Sequence, residues 1–211
     1  KVLKRSIYNV VTYDTPLTLT GDFQLTEEEL QTVLPFEGLA EIDSGVSNLK
    51  GISDEITLQF GEQRVILTPN CTGLDNKSKK MSAKVDITEL LSGKSIPFSM
   101  TLSLKGSKSI NFVPVAKTTN VQLKSDWNSP SFNGNFLPSS REVTNEGFTS
   151  KWKISYVNRS YPQLFWDSDK LQGEIWDSAF GVKLILPVEH YQQCMRTSKY
   201  ALLFIFGTFD L

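Results

Sequence analysis

The sequence has little of what most enzymes rely on. It holds a single histidine, His190, and only two cysteines, Cys71 and Cys194. The cysteines stand too far apart for a CxxC metal or redox motif. They read as free or buried thiols, with a disulfide left open. A Ser/His/Asp triad or a Cys/His pair would have to use His190. Its setting, "PVEHYQQCMR", reads as a helix carrying an exposed or capping imidazole. The phosphate-cradling patterns GxGxxG and GxxxxGK[ST] are absent. No cofactor and no metal are expected.

Neither sign of charge is in excess. Lys+Arg is 22, Asp+Glu is 23 and the net charge is -1, so nothing drives nucleic-acid binding by counterion release. The densest basic run, "NKSKK" at 76–80, reads as a solvated turn. No Pro/Ser-rich linker divides the chain, which predicts one β-rich domain over residues 1–187. No apolar run approaches the roughly 20 residues that span a bilayer. The longest, "YALLFIFGTF" (Tyr200 to Phe209), is half that length. It reads as the start of a transmembrane helix, with a buried C-terminal helix as the alternative. With Lys1 in place of an initiating Met, the chain is expected to be a fragment or a processed form.

What is present is alternation. "EITLQF" puts Ile56, Leu58 and Phe60 on one face, and "GEQRVILT" continues with Val65 and Leu67 in phase. Gly61-Glu62 between them suits a tight hairpin turn. "FSMTLSL", "VQL", "WKISY" and "VKLIL" alternate in the same way. One buried and one wet face per strand is the habit of antiparallel sheets. The fold expected is mainly β: an antiparallel β-sandwich, or a super-sandwich like the periplasmic domain of the YidC insertases. Two helices are expected. Thr26 and Glu29 form a capping box that starts a short helix near 26–33. A second runs from about 188, where Val188, Tyr191, Met195 and Leu202 make one stripe. "LTGDF" (19–23) and "FNGNF" (132–136) share a pattern, each readable as a strand with a Gly bend. Two related half-sandwiches would explain the pair, and so would chance.

Candidate functional residues are few. Trp127 and Trp166 lie near turns, where indoles can stack on sugars, whereas Trp152 is in phase with Ile154 and belongs to the core. Asp167 and Asp169 in "WDSDK", with Glu174 and Asp177 behind, offer carboxylates for glycoside hydrolysis. They match no EF-hand, and a polar turn between strands explains them as well.

One long stretch carries more. "SINFVPVAKTTNVQLKSDWNSPSFNGNFLPSSREVTNEGFTSKWKISYVNRSYPQ" resembles the CreD family of bacterial inner-membrane proteins. The tail "FGVKLILPVEHYQQCMRTSKYALLFIFGTF" is similar to that family too, as are "RSIYNVVTY" and "LTLTGDF" near the start. Residues 24–107 are the least distinctive part. The resemblance implies a domain outside the inner membrane, flanked by membrane helices, in a family associated with envelope integrity, colicin tolerance and a two-component regulon. It implies no catalytic residues. Arg196 and Lys199, just before the apolar run, pull the other way, because basic flanks favour the cytoplasmic side; the family pattern outweighs two charges. The expected partners are the membrane, through flanking transmembrane helices, and an envelope protein or glycan; no nucleic acid is expected. "PSFNGNFLP" is expected to be an edge strand with a Gly bend, or to mark a groove at Phe132. Arg141 and Arg159 nearby would clamp an acidic group or form structural salt bridges. The function expected is a binding or interaction module. The alternative is a carbohydrate-active enzyme using Asp167, Asp169 or Glu174.

Overall fold

The computed structural model describes residues 2–5, 8–33, 38–45, 51–70, 80–165 and 168–186. Along the chain come β1 (Val2–Arg5), β2 (Tyr8–Phe23), α1 (Glu27–Val33), β3 (Leu39–Gly45), β4 (Thr57–Phe60), β5 (Gln63–Ile66), β6 (Thr68–Asn70) and β7 (Lys80–Asp86). Then follow α2 (Thr88–Leu91), β8 (Ile96–Ser107), β9 (Ser109–Phe112), β10 (Thr118–Ser125), β11 (Pro130–Gly134), β12 (Ser140–Thr144) and β13 (Gly147–Ser155). The last elements are a 3-10 turn at Tyr156–Asn158, α3 (Ser168–Asp177) and β14 (Phe180–Leu184). The protein is mainly β, with several antiparallel sheets and few helices.

The chain forms two compact units. Unit 1 is 1–11 with 107–211, and unit 2 is 12–106. The boundary falls inside β2 and at the end of β8. No linker marks it, because continuous strands carry the chain across, and composition therefore gives no sign of two units.

In unit 2, the part of β2 beyond Val11 runs beside β8, followed by β4 and β5. A second sheet has the order β3-β7-β6. Alternation decides what lies between them. Ile56, Leu58 and Phe60 are buried, as are Met100 and Leu102 from β8 and Met81, Ala83 and Val85 from β7. The β4–β5 hairpin turns at Gly61-Glu62, as its sequence predicts, with Gly61 at φ 56. Phe23 tilts onto Phe60 and Phe98, with ring centroids 5.5 and 5.1 Å apart. Gly21 is not a bend. It stays within β2, under the Phe98 ring.

The capping box at α1 is formed on both sides. The Thr26 N–H donates to Glu29 Oε2 at 2.8 Å, and the Glu29 N–H to Thr26 Oγ1 at 3.3 Å. The helix expected from about 188 lies outside the described residues, as do Cys71, His190 and Cys194. Among the described residues, no helix is long and apolar enough to cross a membrane. Helix α3 stands where "WDSDK" reads as a polar turn. Leu171 and Ile175, four apart and half-buried, give it an inward edge that Gly173 and the flanking acids obscure in the sequence.

In unit 1, the sheets β10-β13-β12 and β11-β14-β9 pack face to face. Phe148, Ser150, Trp152 and Ile154 of β13 turn inward, and Phe180 and Val182 of β14 meet them. Phe180, fully buried, touches the rings of Phe112, Phe136 and Trp152 at 6.0, 6.1 and 5.6 Å.

Asp86, just before α2, gives a pH dependence. Its Oδ1 accepts from the Thr88 N–H at 2.8 Å and the Thr88 hydroxyl at 2.5 Å. These bonds hold its carboxyl below the ordinary 3.8. The stabilisation is complete above the unfolded value and is lost as pH falls through the lower folded value. Thermal unfolding of the protein and of its Asp86→Asn variant should differ near neutrality, and the gap should close as the solution becomes strongly acidic.

Candidate functional site

The stretch "SDWNSPSFNGNFLP" becomes an edge strand and its two anchors. Among the described residues β11 pairs with β14 alone, which makes it an edge strand. Before it, Trp127 is half-buried and its Nε1–H donates to the Ile185 carbonyl at 3.1 Å. The Ile185 N–H returns to the Ser129 carbonyl at 3.1 Å. Trp127 thus fastens the end of β14. In β11, Phe132 points between the sheets, edge-on to Phe148 and Trp152, both at 5.9 Å. After it, Gly134 takes φ +96, and a Cβ there would lie 2.1 Å from the Ala179 carbonyl oxygen. The Asn135 side chain donates to the Asp177 carbonyl at 2.6 Å. The Phe136 carbonyl accepts from Trp152 Nε1–H at 3.1 Å.

The "NRSYPQ" stretch closes the far end of this sandwich around one carbonyl. Pro114 is fully buried. Its oxygen accepts from Arg159 Nη1 at 2.9 Å and from the Tyr161 hydroxyl at 2.6 Å. Arg159 Nη2 donates to Gln163 Oε1, whose amide reaches the Val115 carbonyl at 3.3 Å. The guanidinium lies over the Tyr161 ring, 4.7 Å from its centroid. Arg159 Nε is buried with no partner among the described residues. Tyr161 also meets Ser178 Oγ at 3.3 Å, joining this loop to the end of α3. No local sequence pattern marks Tyr161 for this role. Val115 and Val157 remain exposed beside the clamp, at 63% and 71%.

The two arginines are not brought together. Arg141 is exposed on β12, with its guanidinium carbon 5.9 Å from the centre of the Phe132 ring. Arg159 serves Pro114, Gln163 and Tyr161. Trp166 and Asp167 lie outside the described residues, and nothing is described of the Asp169 side chain. Glu174 and Asp177 are exposed on α3. Among the described residues, no three His, Cys, Asp or Glu side chains group to hold a metal ion. An open groove of about 570 Å³ lies in unit 2, lined by Glu41, Val65, Ile66, Thr68 and Lys84 among others. It includes none of the candidate residues.

A family model described as "Inner membrane protein CreD" matches residues 1–211. The chain belongs to the CreD family. It is 28% identical over 207 residues to the inner membrane protein CreD of Escherichia coli K12, covering 98% of this chain and 45% of that protein. The chain therefore spans about half the length of that relative. No solved structure matches it. Of the residues that carry the resemblance in the sequence, Phe132, Phe136 and Trp152 meet in the core of unit 1, and Pro114, Arg159 and Gln163 meet at its far end.

Two stability measurements test this frame. Gly134→Ala should cost more than about 2 kcal/mol, because both φ and the Ala179 carbonyl oppose a side chain. Gly93→Ala, with positive φ but open space around it, should cost about 1 kcal/mol. Arg159→Lys keeps the charge but loses the fork that serves Pro114 and Gln163 together. It should cost about 1–3 kcal/mol in urea unfolding. No loss on Arg159→Lys would remove the clamp from the account.

Proposed function

We propose that this chain is the extramembrane, periplasm-facing domain of a CreD-like inner membrane protein, and that it serves envelope integrity as a binding or interaction module. One observation carries the reading. Val2 pairs with Val11, the Val11 carbonyl accepts from the Lys108 N–H at 3.0 Å, and the Lys108 carbonyl accepts from the Leu184 N–H at 2.7 Å. Val2 and Leu184, near the first and last described residues of unit 1, thus lie three backbone-paired steps apart. A domain looped out between two membrane segments needs that arrangement, since both connections must return to one surface. The ten-residue apolar run Tyr200 to Phe209 is consistent with a membrane segment on the C-terminal side.

In this reading Trp127, Phe132 and Arg159 hold the frame, and Arg141 is the candidate most open to a partner. An envelope protein or a glycan remains the class of partner proposed. A carbohydrate-active enzyme would need two carboxylates facing each other across a cleft, about 5 to 9.5 Å apart, and no observation favours that second reading.

Topology tests the proposal. In the full-length protein, Cys71 and Cys194 are replaced by serine, and Asn145→Cys is placed on the exposed β12–β13 turn. A membrane-impermeant maleimide should label it in intact cells with a permeabilised outer membrane. Labelling only after the inner membrane is lysed would place the domain in the cytoplasm and end the proposal.

A further inference from the structure

β13 is the central strand of its sheet, and its sequence "KWKIS" alternates without a break. Trp152 and Ile154 face the core, so Lys151 and Lys153 face outward. The register extends this face. Lys151 stands opposite Gln122, and Lys153 opposite Asn120. Lys124, opposite Thr149, adds a third ammonium diagonal to Lys151. All three lysines are exposed, and none is ion-paired among the described residues. Glu142, opposite Thr149 from the β12 side, is the one carboxylate at an outward position within the described strands, and exposed Asp126 follows just past the end of β10. Neighbours two apart on a strand are roughly 7 Å apart, close enough for like charges to repel. Folding does not require that cost here, since threonine or glutamine would suit the same positions.

We propose that this outer face of β10 and β13 seats the domain against an anionic phospholipid surface. The proposal rests on the extramembrane reading above, which keeps a sheet of phosphodiester headgroups within reach of the domain. The chemistry favours headgroups over a glycan. The outward positions of β10 and β13 are Thr, Asn, Gln, Ser and Lys, with no aromatic ring to stack on a sugar. Lysine is a point charge on a flexible stem, suited to mobile phosphates, whereas fixed bidentate recognition favours arginine. At about 1 kcal/mol per lysine near such a surface, three lysines correspond to roughly a hundredfold in partitioning.

The test is flotation of the 1–211 chain with vesicles of phosphatidylcholine alone or with added phosphatidylglycerol, at low and at raised salt. The apolar run at 200–209 contributes equally to every variant, so the readout is the increment caused by phosphatidylglycerol. That increment should be large in the wild type and fall with salt. It should vanish in the Lys124→Gln, Lys151→Gln, Lys153→Gln triple variant and persist in the corresponding triple arginine variant. Equal flotation with both vesicles would overturn the proposal. So would an increment that survives in the glutamine variant, or tighter binding to a soluble anionic polysaccharide than to the vesicles. None of these outcomes bears on which side of the membrane the domain occupies, which maleimide labelling reads separately.

Discussion

Phe180 lies where the two sheets of unit 1 meet, and its burial orders much that surrounds it. Rings from Phe112, Phe136 and Trp152 reach it from β9, from the turn after β11 and from β13. An aromatic side chain buried this way contributes several kcal/mol through area, and edge-to-face neighbours add to that. The same contact fixes the backbone nearby. Gly134 has no Cβ because the chain passes against Ala179 and Phe180 itself. Trp152, packed on Phe180, can then reach the Phe136 carbonyl with its indole N–H. Phe136 and Trp152 each meet Phe180 and one another, so these contacts restrict how the two sheets can sit.

The far end of unit 1 repeats that economy with polar groups. A buried carbonyl that finds no donor costs as much as a lost hydrogen bond. Pro114 has two donors on its oxygen, Arg159 and Tyr161. An arginine committed to a carbonyl, an amide and a ring is a strut, and the fold accounts for it before any ligand is invoked. The same holds for Trp127, whose indole N–H is used inside the domain.

Much of this was legible in the sequence. Period-two alternation marked the buried faces of β4, β8 and β13, and Thr26 with Glu29 marked the start of α1. The edge position of β11 followed from its prolines. Other features were not legible, for physical reasons. Helix α3 has only Leu171 and Ile175 to declare an inward side, and Gly173 interrupts it. The division into two units is hidden because β2 and β8 run through it as continuous strands. The Pro114 cluster joins residues about 45 positions apart, so no local pattern announces it or the part Tyr161 plays in it. In unit 2 the core is mostly aliphatic, with Phe60, Met81 and Met100 within it, and such a core accepts many sequences of similar volume.

A domain looped out between two membrane segments needs β1 and the end of β14 close together, as they are about Val11 and Lys108. Nitroxide labels at Val2 and Ile185 in the membrane-embedded full-length protein would measure this by pulsed electron paramagnetic resonance. Three ladder steps of about 5 Å each put the backbones within roughly 15 Å, so a single short distance is predicted. A separation on the scale of the whole sandwich, about 30 Å for strands of this length, would contradict the account.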